Sequence, residues 1–420
     1  IHKAKIPISK RKEYIDEEDM AFGEGYRCPD CAQCKKCLIS DRSKMMSLQE
    51  KIEQDAIRKS VNVDLEQKKV YVDLPFVKPP VDTLKKRHNG ADNNYYQALR
   101  IYQAQCRKPE RMKEEMRKVH QDLVDRGFMK KLCHLGSEQQ SIIKNAGFKH
   151  HMPWRIVEKQ DSISTPYRMV VDASVTGINE ILAKGENNMT KINDILIRNR
   201  CRRTLWSSDI SKLYNQLHLR DSALPYGLFL FDDKMDQSAE PEVWVMVVAW
   251  YGVTSTGNQS REALERLVTL LEDKYPAASD VIRKDCYVDD VLSGGNEKAI
   301  VDKQIEDTKA ALMEGGFQLK YCVKSGEPPS KDASPDEKSL KILGYRWTPE
   351  EDYLSPGFGE LNFSKKRRGA KQPNPFPVVN PSDVTKLLDS RNVTRRMVVS
   401  KIAEIWDPVG IWEPFKLQLK

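Results

Sequence analysis

Two adjacent carboxylates set in an apolar frame constrain this chain more than any other feature. The stretch Lys284-Asp285-Cys286-Tyr287-Val288-Asp289-Asp290-Val291-Leu292-Ser293-Gly294-Gly295 places Asp289 and Asp290 between residues that favour extended backbone. Asp is depleted from strands and enriched in turns, so the pair reads as the tip of a hairpin. Two acids at such a tip suit a hard cation, because Mg²⁺ takes oxygen ligands from one or two carboxylates plus substrate phosphates. The bland alternative is a solvated acidic turn, and the pair taken alone does not decide between them.

The 420 residues suffice for two or three domains with real cores. Basic residues number 69 against 61 acidic, a net charge of +8. That excess is compatible with a phosphate-bearing partner without requiring one. The longest apolar run, from Val243 to Val253, is about half of what a membrane span needs. The chain begins at Ile1 and has no signal peptide, which reads as a piece of a longer polyprotein or a truncated gene model. Five scattered cysteines (Cys106, Cys133, Cys201, Cys286, Cys322) read as free thiols of a reducing compartment. The other four are clustered as Cys28-Pro-Asp-Cys31-Ala-Gln-Cys34-Lys-Lys-Cys37. Four thiolates can wrap Zn²⁺ tetrahedrally, but the usual pattern separates two pairs by a longer loop, so zinc and a plain linker both stand.

Along the chain, Ser47-Leu-Gln-Glu50 is a capping box that predicts a short helix. Val61, Val63, Leu65 and then Val70, Val72, Leu74 alternate as a hairpin, and 78–94 reads as a turn-rich linker. Pro109 opens an amphipathic helix through Met112, Met116, Val119 and Leu123, closed by Gly127. Arg155-Ile-Val157 and Arg168-Met-Val-Val171 read as strands joined by the turn at Lys159. His150 and His151 are not taken as a metal pair, since neighbours on a strand face opposite ways. Thr204 to Asp209 reads as a strand, and Ile210, Leu213, Tyr214 and Leu217 fit a helix directly after it. Asp209 thus falls at a strand-to-helix junction, where an N-cap is the ordinary reading. Val243–Trp250 reads as a strand buried on both faces, followed by a break at Gly252 and a helix from about 259 to 275. Beyond the acidic hairpin come a helix at 297–313, a strand at 317–323 and another at 340–347. A basic run, Lys365-Lys-Arg-Arg368, and two short helices close the chain; a solvated face and a phosphate contact are both open for the run.

Asp209 and Asp289 lie 80 positions apart and meet only if their strands are neighbours in one sheet. Nucleotide polymerisation demands such convergence. Two cations about 4 Å apart clamp the attacking and leaving oxygens, and acids from separate strands are needed to hold them.

Five stretches in order resemble the polymerase of Bel/Pao-type LTR retrotransposons. They are Tyr167-Arg-Met-Val-Val-Asp172-Ala-Ser174, Ser208-Asp209-Ile-Ser-Lys-Leu-Tyr214-Asn-Gln-Leu-His-Leu219, Tyr287-Val-Asp-Asp290, Gly344-Tyr345-Arg-Trp347 and Ile402-Ala-Glu-Ile-Trp-Asp407-Pro408-Val-Gly410. The last resembles the segment often called the Pao peptidase-like region of the Pol polyprotein. The resemblance implies an α+β right-hand polymerase with an antiparallel palm sheet. Residues 1–94 would be an irregular Cys-containing linker with a short hairpin, 95–200 fingers, 201–350 palm, and 351–420 the start of the thumb or Pao peptidase-like region. It implies an RNA-directed DNA polymerase (reverse transcriptase), a nucleotidyltransferase of a transposable element, working in a cytoplasmic particle or the nucleus.

The same resemblance implies the site. Asp209, Asp289 and Asp290 would be catalytic and hold two Mg²⁺ ions, for which Mn²⁺ can substitute. Lys159 and Arg168 would reach the triphosphate of the incoming nucleotide. Ile210 would offer its backbone carbonyl, Tyr214 would exclude a 2′-hydroxyl, Gly252 would shape the nucleotide turn, and Lys324, with Lys320 as competitor, would stand near the leaving pyrophosphate. The implied partners are an RNA template, a DNA primer/template duplex and deoxynucleotides. The protease, ribonuclease H and integrase of such a polyprotein have no recognisable motif here, and no membrane partner is implied. The chain departs from retroviral-type polymerases at Ala249-Trp-Tyr-Gly252, where Leu-Pro-Gln-Gly is usual. The rival reading is an inactive nucleic-acid-binding remnant that uses Cys28, Cys31, Cys34 and Cys37 as a zinc module.

Overall fold

The computed structural model describes residues 48–158, 166–329, 333, 339–356, 395–396, 399, 402, 407–410 and 413–419. The four clustered cysteines, Lys159 and the basic run at 365–368 lie outside them. The fold is mixed α+β, with small sheets and no barrel among the described residues. In chain order the strands are β1 (Val61–Asp64), β2 (Lys69–Val72), β3 (Met129–Lys131), β4 (Trp154–Glu158), β5 (Tyr167–Val171), β6 (Thr204–Asp209), β7 (Leu217–Leu219) and β8 (Leu228–Phe231). They continue as β9 (Glu242–Met246), β10 (Cys286–Tyr287), β11 (Asp290–Gly295), β12 (Val323–Lys324), β13 (Leu340–Ile342), β14 (Tyr345–Thr348) and β15 (Tyr353–Pro356). Every described strand pairing is antiparallel except that of β2 with β7. No described helix is long and apolar enough to cross a membrane.

The chain divides into two compact units. The first gathers Ile1–Met189, Lys212–Leu267 and Met313–Phe317. Its β1–β2 hairpin follows the alternation of valines, with Val61 opposite Val72 and Val63 opposite Val70, and Val70 and Val72 are fully buried. The stretch read as a linker at 78–94 is instead partly a helix, Pro80–Arg87. Pro79-Pro80 was a turn signal, but Pro is also favoured at the first helical position, where its missing N–H is no loss. The helix Glu110–Asp125 forms as its periodicity predicts, with Pro109 as N-cap and Met116, His120 and Leu123 buried. In the sheet β3-β9-β8, all four residues of β8 are buried. The apolar run at 243–250 yields a shorter strand than expected, since β9 ends at Met246 and only Val245 and Met246 are buried within it. β4 and β5 form a two-stranded ribbon in which Trp154 faces Val171.

The second unit gathers Thr190–Ser211, Val268–Leu312 and Gln318–Lys420. Its main sheet has the order β10-β11-β6-β12. β11 runs along β6 for six residues, from Asp290 opposite Asp209 to Gly295 opposite Thr204. Gly294 is required in this ladder, because a Cβ there would lie 2.2 Å from the carbonyl oxygen of Thr204. Ile195, Leu196, Leu205, Leu292 and Val323 share one apolar core with Leu340, Ile342, Tyr345 and Trp347. The single strand expected at 340–347 is a hairpin of β13 and β14. Leu343 and Gly344 both take positive φ, as the two central residues of a tight hairpin turn do.

Candidate active site

β6 delivers Asp209 at its end, directly after the buried pair Ser207 and Ser208 and the fully buried Trp206. The Ser208 hydroxyl donates to the Tyr321 carbonyl, which ties the strand end to the segment before β12. Asp290 opens β11 and stands directly across from Asp209. Directly opposed residues of an antiparallel pair share one face of the sheet, with Cβ atoms about 5 Å apart. Asp289 lies in the two-residue turn between Tyr287 and Asp290, which pair with each other, and its carbonyl accepts from the Ile210 N–H at 2.7 Å. Two strands 80 positions apart thus bring the three acids to one end of one sheet.

The turn is strained. Val288 has φ of 56°, a left-handed conformation that a β-branched residue seldom adopts and that costs of order 1–3 kcal/mol. Glycine is the residue such a turn ordinarily takes.

The residues 318–320 run alongside 209–211. Ile210 bridges to Leu319, the Ser211 N–H donates to the Gln318 carbonyl, and the Lys320 N–H donates to the Asp209 carbonyl at 2.9 Å. This docking aims the Lys320 ammonium at Asp209, with Nζ 3.0 Å from Oδ2. Next to it, Tyr321 has its phenol pushed above the ordinary range, first by burial and then by the charges of Asp209, Asp290 and Asp289. One side chain therefore feels all three carboxylates, and it stays protonated at neutral pH. Among the described residues, no group of three or more His, Cys, Asp or Glu side chains is arranged as around a bound metal ion.

The junction after Asp209 differs from expectation. In place of a helix from Ile210, the chain makes a bridge residue, a turn with Lys212 at φ 46°, one 3-10 turn over Leu213–Gln216, and then β7. The N-cap of that 3-10 turn is Lys212, so the capping reading of Asp209 fails. Leu213 and Leu217 are buried as a helical face would bury them, which is why spacing alone misled.

Lys324 sits on β12 with Nζ 3.2 Å from Asp302 and 3.5 Å from Glu327, whereas Lys320 is the lysine on Asp209. The strand expected at 317–323 is reduced to the Leu319 bridge and β12, since Lys320 pairs with Asp209 at the end of β6 and Gln318 with Ser211 just beyond it.

Arg168, Tyr214 and Gly252 belong to the first unit and are linked there. Arg168 is exposed on β5. Three residues further along that strand, the Val171 N–H donates to the Tyr251 carbonyl, and the Tyr251 ring packs against Tyr214 at 4.9 Å between centroids. Gly252 takes φ of 104°, and a Cβ there would lie 2.4 Å from the Val171 carbonyl oxygen, so no other residue fits without shifting the backbone. Tyr321 and the arginine pair Arg198 and Arg202 were not anticipated; the basic run Arg198-Asn-Arg-Cys-Arg-Arg203 was the available signal for the pair.

No protein-family model matches the chain, and no curated protein matches it.

Proposed function

We propose that the chain is an RNA-directed DNA polymerase of a Bel/Pao-type retrotransposon, extending a primer 3′ end with deoxynucleotides. The observation that carries this reading is the register that sets Asp290 across from Asp209 with Asp289 in the adjoining turn. A solvated acidic turn needs no third acid from a distant strand and no strained Val288 to present it. The donor set suits a divalent cation in kind: the backbone register brings three acids to one sheet end, and the Lys320 ammonium lies against one of them, although their side chains are not grouped as around a bound metal ion. Mg²⁺ held by Asp209, Asp289 and Asp290 would supply the positive charge that phosphoryl transfer requires.

The chain's own residues supply the rest. Lys320 Nζ lies 3.0 Å from Asp209 Oδ2 and would yield that contact to a bound divalent cation. The half-buried phenol of Tyr321 keeps its proton beside the acids. Arg168 and Lys159 would receive the triphosphate, the guanidinium as a fork and the ammonium as a point charge. Tyr214, braced by Tyr251, would stand under the sugar and reject a 2′-hydroxyl by contact. The backbone at Gly252 would line the same nucleotide. In this reading 95–200 are the fingers, 201–350 the palm and 351–420 the start of the thumb.

Primer extension on an RNA template by the purified chain tests it. Incorporation of deoxynucleotides that requires Mg²⁺ and disappears in Asp289→Asn is the expected result. Absence of incorporation by the folded wild type, or full incorporation by Asp289→Asn, would overturn it.

A further inference from the structure

The second unit carries another charged cluster, of opposite character to the acid turn. The helix Ile192–Arg200, the helix Pro276–Lys284, the strand β11 and the helix Lys298–Glu314 line a half-open pocket of about 400 Å³. Its charged lining is Arg198, Arg202, Lys284, Asp280 and Asp285, with Ser293 and Gln304 beside them. Asp285 is 2% exposed and is the fixed point. Arg198 Nη1 donates to its Oδ1 at 2.7 Å, and Arg202 Nη1 donates to its Oδ2 at 2.6 Å. The Ser293 hydroxyl also donates to Oδ2, at 2.8 Å.

The way the two guanidiniums are used matters more than their number. Arg198 engages the protein through Nη1 alone, on Asp285 and the Lys284 carbonyl. Arg202 likewise uses Nη1 alone, on Asn199, Asp285 and Ser293. A guanidinium has five N–H donors, and its Nε–Nη2 edge is a fork that matches two oxygens of one phosphate. Nothing among the described residues accepts from that edge in either arginine. Two guanidiniums against one carboxylate leave one positive charge in excess, and Lys284 is paired at the rim with Asp280 at 2.7 Å. Arg200 and Arg203, both exposed, extend the same basic run. A buried acid thus orients two arginines, and a pocket of the size of small-ligand sites adjoins them.

We infer that this pocket is a binding site for a small phosphate monoester, its phosphate received by Arg198 and Arg202 as Asp285 orients them. The inference stands independently of the polymerase reading, because it uses none of Asp209, Asp289 and Asp290. A phosphate suits the site better than a carboxylate, because it offers oxygens to both forks. A pocket of about 400 Å³ matches a small ester in size.

The test is calorimetric titration of the whole chain with adenosine 5′-monophosphate and with inorganic phosphate, in EDTA so that no divalent cation recruits them to the acid turn. One saturable site is expected for each probe. Arg198→Lys keeps a cation on Asp285 but removes the fork, and should weaken binding roughly tenfold. Lys284→Gln should weaken it less, and Asp289→Asn should bind as the wild type does. Arg202→Ala is the less useful variant, since it strips a partner from a buried carboxylate. The proposal is overturned by the absence of saturation in the millimolar range, by wild-type binding in folded Arg198→Lys, or by loss of binding in Asp289→Asn. Displacement by an oligonucleotide lacking a terminal phosphate, as effective as the monophosphate itself, would also overturn it by assigning the site to backbone phosphates.

Discussion

Asp285 and Asp289 are four residues apart on one hairpin, yet their surroundings are opposite. Asp285 is buried between two arginines and a serine hydroxyl. Asp289 sits in a strained turn with Asp290 beside it and Asp209 across the ladder. Where a carboxylate meets guanidiniums, the charges hold the fold together, because separating them would leave a buried ion without compensation. Where acids are brought to one sheet end, a bound cation would be the group that offsets their like charges, in the proposed reading. The same residue type therefore serves structure at one end of β10 and, in the proposed reading, chemistry at the other.

Substitutions separate the two roles. Asp289→Asn should reduce primer extension by roughly a thousandfold while leaving the urea midpoint almost unchanged. Equal losses of activity and stability would erase the distinction. Asp285→Ala should do the reverse, costing about 3 kcal/mol of unfolding free energy by denaturant titration, since both arginines lose their buried acceptor. A shift below about 1 kcal/mol would mean that the cluster is solvated after all. Ser293→Ala, which removes one hydrogen bond to Asp285 from a fully buried position, should cost about 1 kcal/mol in the same assay.

Acid pH sharpens a second contrast, between these ionised groups and the buried imidazoles of the first unit. Burial holds His120 and His151 down to about 4 and His150 to about 3, against an ordinary 6.5. Above pH 6.5 these rings are neutral in both folded and unfolded chains and contribute no pH dependence. Below it the unfolded chain takes up protons that the folded core refuses until about pH 4. Stability of the first unit should therefore fall as pH falls through that window, on the order of 1 kcal/mol per histidine for each unit. Unfolding curves at pH 7 and pH 5.5 check this, and coincident curves would show that the rings are protonated in place.

Much of this was legible in the sequence, for identifiable reasons. The hairpin of β1 and β2 and the helix Glu110–Asp125 declare themselves by period, because one face of each is buried and the other is not. The acid turn was legible from Asp289 and Asp290 flanked by apolar residues. The approach of Asp209 rested on a pairing that spacing does not encode. The helix expected after Asp209 failed because Ile210, Leu213 and Leu217 are buried by a bridge, a 3-10 turn and a strand in succession, which mimics a helical face. The helix Pro80–Arg87 was missed because Pro-Pro marks turns and helix starts alike. The role of Asp285 was hidden because nothing in its neighbours along the chain announces Arg198 and Arg202, more than eighty positions earlier.

Binding of Mn²⁺, followed by the loss of its free electron-resonance signal, examines most directly whether the three acids act as one site. The wild-type chain should remove Mn²⁺ from solution saturably, and Asp209→Asn and Asp290→Asn should each weaken that binding roughly tenfold. Lys320→Met, which takes the competing ammonium from Asp209, should tighten it. A wild type that leaves the Mn²⁺ signal untouched, or variants that bind as the wild type does, would contradict the account.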